Sequence, residues 1–431
     1  MDFKPVQKLT VMRTLSTGEE TEAGTLVQNR TGVFFQYHSD YLNRFGNSSP
    51  LNLKDSTELQ RAPGTPHDGL HGLFADSLPD GWGRLLQDRV FRQQEIALHN
   101  ITAMDRLAFV GHRGMGALSY HPGADCQPEN GEFVDLVTLG QDAQAVFEGE
   151  TEHVLSALVA AGSSGGARPK AQLYFRPGNF SACSICDTPG SEAWLVKFTS
   201  SSLPLRHDEG LCEAVYLDLA GQAGLNPPQW RLIDTGTRGG AKAWLAVKRF
   251  DRTDNGADKR PGKLLMHSVC GLLDADFRIP SLDYDDLIRL NRMLCRSVSA
   301  GQLQFRRAVF NLLAANQDDH TKNWSFLQSD DGQWQAAPFY DVTYNPNRMN
   351  EHTTAFGGHG RTPPPDTMRH LAELAGFDNW ETARQAIEEI ADVVSGFPAL
   401  AKDIGVSPQI RREIENTLIQ RRQDNQRLFS V

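Results

Sequence analysis

Asp318, Asp319, His320, Lys322 and Asn323 crowd into the stretch "NQDDHTKN" (316–323), between apolar runs that end at Ala315 and resume at Trp324. Asp318 and Asn323 stand five positions apart, and Asp341 follows 23 residues after Asp318 in "PFYDVTYNP". Mg²⁺ takes hard oxygen ligands, and usually only one or two carboxylates besides phosphate oxygens. Asn323 and Asp341 would supply such oxygens. Asp318 would then accept a proton from a hydroxyl nucleophile, and Lys322 would neutralise phosphate charge. Phosphoryl transfer divides its labour this way, with positioning and charge stabilisation as the main contributions. The plainer reading is a capped, solvated loop, since Asp and Asn are common turn residues. His320 reads as a structural hydrogen bonder or a nucleotide contact more readily than as a metal ligand.

A second group of residues has the chemistry to hold phosphates. In "SSGGARPK" (163–170), the adjacent Gly165 and Gly166 let backbone amides approach an anion, and Lys170 ends the loop. It is not a Walker A sequence, and a tight turn would look the same. Lys197 lies 27 residues later in the apolar run "WLVKF", where it must alternate outward or find an anion. Glu213, in "GLCEAVYLDLA", is a candidate partner for Lys197, or else a helix-surface carboxylate. The strand ending in "VKRFDR" places Lys248, Arg249 and Phe250 where a segment linking two lobes can offer its backbone to an adenine edge.

The surrounding elements follow from periodicity. "GTLVQNRTGVFFQYHSDYL" reads as two strands about a turn at Arg30, Thr31 and Gly32. A turn from Pro79 to Gly83 precedes a helix through Leu85, Leu86, Val90 and Phe91. A helical stretch breaks near Gly149. "GLCEAVYLDLAGQAGL" is a helix closed by Gly224. The chain reads as mostly helical from Leu282, interrupted by a hairpin about "DDG", and its tail is a set of amphipathic helices. Strands early and helices late predict an α+β, two-lobed architecture.

Bulk properties narrow the class. With 431 residues, two or three domains are expected. The net charge of −10 and the lack of a basic stripe argue against direct DNA binding, though a basic partner protein could bring the chain to DNA. The first residues lack the apolar core of a signal peptide, and no apolar run approaches the ~20 residues of a membrane span, so a cytosolic protein is expected. Six cysteines fit reduced thiols in that compartment. Cys183 and Cys186 form a lone CxxC without a second ligand pair, which reads as two small strand or loop residues.

Taken in order, these motifs resemble the HipA-type serine/threonine kinases, the toxin half of HipA–HipB toxin–antitoxin modules. "GTLVQNRTGVFFQYHSDYL", "FADSLPDGWGRLL" and "RLAFVGHRGMGALSY" are similar to that family's N-terminal subdomain. "SSGGARPKAQL", "WLVKF", "KRFDR", "NQDDHTKN" and "PFYDV" are similar to its kinase core, and "AFGGHGRTPPPDTMRHLAELAGF" to its helical C-terminal part. The resemblance implies a two-lobed fold like those of protein kinases and phosphoinositide 3/4-kinases. It divides the chain into an N-terminal subdomain (1–122), the rest of an N-terminal kinase lobe (123–250) and a helical catalytic lobe (251–431).

By the same resemblance, Asp318 is the catalytic base. His320, Thr321, Lys322 and Asn323 fall on nucleotide- and metal-contacting positions, and Tyr340 and Asp341 on the second Mg²⁺ and ATP site. Lys197 is the ATP lysine. Gly165, Gly166, Ala167, Arg168, Pro169 and Lys170 form the phosphate loop, and Lys248 to Phe250 the adenine hinge. Ser163, or Ser164 beside it, falls on a serine that family members autophosphorylate. A phosphate there adds roughly −1.5 to −2 charge next to a site built for ATP phosphates, which explains inactivation. Arg168, Pro169 and Asp319 depart from the family pattern without removing a catalytic group. The implied partners are a HipB-like helix-turn-helix antitoxin, DNA only through it, and a protein substrate such as an aminoacyl-tRNA synthetase, with no membrane. Two rivals are a nucleotide-responsive co-repressor docked on the antitoxin and a small-molecule kinase.

Overall fold

The computed structural model describes residues 3–123, 133–151, 156–161, 165–236, 240–256, 259, 261–347 and 349–429. The chain divides into two compact units. One comprises 1–207, 231–274 and 327–332; the other comprises 208–230, 275–326 and 333–431.

The first unit is built on two antiparallel sheets. One has five strands in the order Gln60–Arg61, Gly32–Tyr37, Glu20–Asn29, Lys8–Thr14, Leu118–His121. The expected hairpin about Arg30–Thr31 is present, with Asn29 paired to Gly32. Inward residues such as Leu9, Val11, Leu26 and Phe35 are fully buried, while their neighbours along the strand alternate outward.

The other sheet has six strands in the order Trp230–Asp234, Ala243–Lys248, Glu192–Lys197, Lys170–Arg176, Asn179–Ser184, Phe133–Val134. Its core gathers Trp82, Leu139, Leu173, Val196 and Trp244. The helix Leu136–Glu148 lies so close to this core that a side-chain carbon on Gly140 would fall 2.1 Å from the Trp244 ring. Gly149, in the left-handed conformation, ends that helix where the break was expected. The turn expected through Gly83 is shorter than that, because the helix Gly81–Gln93 starts at Gly81.

The second unit is helical. Val298–Ala314 packs against Tyr284–Cys295, Pro365–Ala375 and Trp380–Ser395, and buries Phe305, Ala308, Val309, Leu312 and Leu313. Full burial of several such side chains, each contributing about 1.5–3 kcal/mol, makes it the central helix of this unit. It stops at Ala315, whose φ of 54° is left-handed, and Tyr216 on the helix Glu209–Gln222 donates its hydroxyl to the Ala314 carbonyl at 2.7 Å. The chain is thereby released into the "NQDDHTKN" loop at a defined point. Among the described residues, no helix is long and apolar enough to cross a membrane.

Candidate active site

The two adjacent acids of the loop have opposite environments. Asp319 has none of its side chain exposed, whereas half of the Asp318 side chain is open to solvent. Four donors converge on Asp319: the Tyr284 hydroxyl at 2.6 Å, His352 Nδ1 at 2.8 Å, and the Thr353 and Thr354 amides at 2.8 and 3.1 Å. Its main-chain carbonyl accepts from the Trp324 indole at 3.0 Å and from the Thr354 hydroxyl. Burying a carboxylate is costly unless it is fully hydrogen-bonded, and here it is. Burial, then the negative charge of Asp319, raises the Tyr284 pKa well above its usual value, which keeps that phenol a donor.

With Asp319 as anchor, Asp318 is presented outward. Asn345 Nδ2 donates to its Oδ2 at 2.9 Å, and the Asn345 backbone is itself bonded to Ala315 and Gln317. Asn323 Nδ2 donates to the Asp318 carbonyl at 2.6 Å, so the loop closes on itself across the five-residue spacing. That leaves Asn323 Oδ1 as the atom suited to a cation. His320 Nε2 lies 3.8 Å from Asp318, its ring packs edge-on to Phe277, and the Lys322 ammonium sits 4.5 Å over the same Phe277 ring. His320 Nδ1 and Thr321 Oγ1 are buried with no hydrogen-bond partner among the described residues.

The "PFYD" segment is held separately. Arg307, buried in the central helix, donates to the Leu225 and Ala337 carbonyls at 3.1–3.2 Å and stacks 5.3 Å from the Phe339 ring. Burial lowers its pKa to about 9, so it stays charged at neutral pH. The Tyr340 hydroxyl bonds Ser325 at 2.6 Å and the Lys322 carbonyl at 2.7 Å, which ties this segment to the loop. Asp341 follows with φ of 56°, a left-handed conformation that Asp tolerates.

The phosphate-loop candidates belong to the first unit. Lys170 and Lys197 are directly opposed across neighbouring strands, so both side chains share one face of the sheet, and both are buried. Directly opposed like charges are unfavourable unless each finds acceptors or counter-charges within reach. Gly165 and Ala167 are exposed, Pro169 is buried, and Lys170 Nζ donates to the Gly165 carbonyl at 2.7 Å. The Trp82 indole donates to the Lys170 carbonyl at 2.9 Å. Ser163 and Ser164 lie outside the described residues.

Lys248 pairs with Glu192 at 2.5 Å, and Phe250 is half-buried. Arg249 turns inward to a buried ion pair with Asp251, so a hinge role for it falls to the backbone. Asp251 also accepts from Arg252 at 2.8 Å and from the Gly116 amide at 2.6 Å. Glu213 is buried in the helix Glu209–Gln222 of the second unit, not on a helix surface. The Cys183 thiol donates to the Val134 carbonyl at 3.3 Å, and burial pushes its pKa up to about 12. Arg307, Asn345 and Phe277 are site residues that motif reading missed, and for Asp319 it missed the buried, anchoring role.

Comparison with known proteins gives the site its family context. Residues 17–121 match the HipA N-terminal domain, and residues 162–398 match the HipA-like C-terminal domain. The protein Y4dM of Sinorhizobium fredii, whose name marks it as an unproven kinase, is 24% identical over 414 residues, covering 90% of this chain and 91% of that one. The serine/threonine-protein kinase toxin HipA of Shewanella oneidensis is 28% identical over 198 residues, 42% of each chain. The HipA structure in the Shewanella oneidensis complex of HipA, HipB and operator DNA matches 97% of this chain and 99% of its own, with a TM-score of 0.70 at 17% identity, a likeness of fold. That likeness makes the fold a two-lobed, kinase-like α+β fold, and the family matches, which span more than half of the residues, make this chain a member of the HipA family.

Proposed function

We propose that the chain is an ATP-dependent serine/threonine protein kinase, the toxin of a toxin–antitoxin pair. The observation that carries this reading is the division between Asp319, buried as an anchor, and Asp318, held half-open by Asn345. A purely structural loop has no need to spend that scaffold on presenting a carboxylate. In the proposed reaction, the Asp318 carboxylate accepts the proton of a serine or threonine hydroxyl. That oxygen bonds to the γ-phosphorus as the bond to the ADP oxygen breaks. The first unit supplies the phosphate grip through Lys170, Lys197 and the Gly165–Lys170 loop, with the Lys248–Phe250 backbone meeting adenine.

Mg²⁺ fits the donors of the second unit. Asn323 Oδ1 and the Asp341 carboxylate are hard oxygens, the ligand type that Mg²⁺ takes. When bound, Mg²⁺ neutralises phosphate charge. The orphaned His320 Nδ1 and Thr321 Oγ1 suit polar contacts with a nucleotide, and Tyr340 fixes the loop beside them. The divisions at 122 and 250 follow the same reading, supported by the family match at 17–121. The antitoxin would be a HipB-like helix-turn-helix protein, as in the Shewanella complex, and the substrate a protein such as an aminoacyl-tRNA synthetase. Self-phosphorylation would fall on Ser163 or Ser164.

Calorimetric titration with Mg·ATP tests the nucleotide half of this reading. Lys197→Met should weaken binding at least roughly tenfold, from the loss of one close opposite charge. Unaltered affinity in a folded Lys197→Met variant would remove Lys197 from the site.

A further inference from the structure

The glycine loop already holds an anion, supplied by the chain itself. The Gly166 amide donates to a carboxylate oxygen of Asp80. That carboxylate lies over the loop, because a side-chain carbon on Gly165 would fall 3.3 Å from both Asp80 oxygens. The next two residues complete the contact. A side-chain carbon on Gly81 would fall 2.7 Å from Ala167 Cα and from the Gly166 carbonyl oxygen, and the Trp82 amide donates to that carbonyl at 3.1 Å. Asp80 occupies the N-cap position of the helix Gly81–Gln93, yet its side chain makes no capping bond to that helix. An N-cap Asp ordinarily accepts from the first-turn amides of its own helix. Here the carboxylate is directed at the loop instead.

We propose that Asp80 is an internal competitor for the ATP phosphates, a carboxylate that occupies the Gly166 amide until a phosphate oxygen displaces it. This rests on the kinase reading, in which the Gly165–Lys170 amides cradle phosphate. A carboxylate and a polyphosphate cannot share one amide donor, and their like charges repel. The first-turn amides of its own helix already have acceptors, Trp82 in the Gly166 carbonyl and Gly83 in the Asp80 carbonyl, which leaves the carboxylate to the loop. Asp80 therefore caps the loop in the absence of nucleotide, and it sets how much nucleotide is needed to fill the site.

The test is calorimetric titration of the full chain with Mg²⁺ and a non-hydrolysable ATP analogue. Asp80→Asn removes the charge, Asp80→Ser is a second uncharged N-cap residue in case the first does not fold, and Asp80→Glu keeps the charge. Circular dichroism confirms folding. Affinity should rise roughly tenfold in the uncharged variants, as expected for removing one nearby like charge, and should not rise in Asp80→Glu. Unchanged or weaker binding in a folded uncharged variant, with wild type binding normally, overturns the competitor and leaves the kinase reading intact. Failure of wild type and every variant to bind overturns both.

Discussion

Replacing Asp319 by Asn should loosen the loop that carries Asp318 without disturbing the rest of the second unit. All four partners of the carboxylate are donors: Tyr284 and His352 meet Oδ2, and the Thr353 and Thr354 amides meet Oδ1. An Asn side chain has one acceptor oxygen and one NH₂ group. If the oxygen keeps the two amides, the NH₂ faces Tyr284 and His352. His352 must then move its proton to Nε2, which is buried without a hydrogen-bond partner among the described residues. Two charge-assisted bonds are lost or weakened, at about 2–4 kcal/mol in total. By the Boltzmann factor that is a roughly 30-fold to several-hundred-fold rise in local opening. Hydrogen-exchange mass spectrometry on peptides covering 316–328 and 350–356 reads this directly, with the peptide of the helix Glu209–Gln222 as internal control. Protection within about threefold of wild type in both loop peptides would refute the anchoring role of Asp319.

Asn345→Leu should remove the bond that orients Asp318 Oδ2 and lower turnover roughly tenfold to a hundredfold, the usual effect of a slightly misplaced reacting group, with nucleotide affinity unchanged by calorimetry. Asp251→Asn should destabilise the first unit by about 3 kcal/mol, because Arg249 and Arg252 lose a buried counter-charge. Burial alone would raise the Asp251 pKa, but the two arginines overturn that and hold it well below the usual carboxylate range. The folded-state pKa is thus lower than the unfolded one. The contribution of Asp251 is complete above about pH 4 and lost as pH falls towards the folded value. The Tm gap between wild type and Asp251→Asn should hold from neutral pH to about 4.5 and narrow below it.

Local chemistry was the readable part of this chain. The turn at Arg30–Thr31–Gly32, the helix closed near Gly224 and the break at Gly149 follow from residues within a few positions of each other, and all three are present. Burial was not readable, because it depends on partners far along the chain. Asp318 and Asp319 look alike in sequence, and only Tyr284, 35 residues before Asp319, and His352, 33 after it, distinguish them. "VKRFDR" looks like a strand running out into charge. Gly114, Gly116 and Gln172 convert its arginine and aspartate into a buried network. The opposition of Lys170 to Lys197 is likewise a matter of strand register, which the 27 residues between them do not reveal.

Phosphate transfer from ATP is the measurement that bears most directly on the account. Wild type and Asp318→Asn would be incubated with Mg·ATP, alone and with a panel of aminoacyl-tRNA synthetases, and every chain analysed by intact-mass spectrometry and peptide mapping. The account predicts phosphate on a serine or threonine with wild type only, while Asp318→Asn still binds nucleotide. Equal transfer by Asp318→Asn, or none by wild type with nucleotide bound, would contradict it.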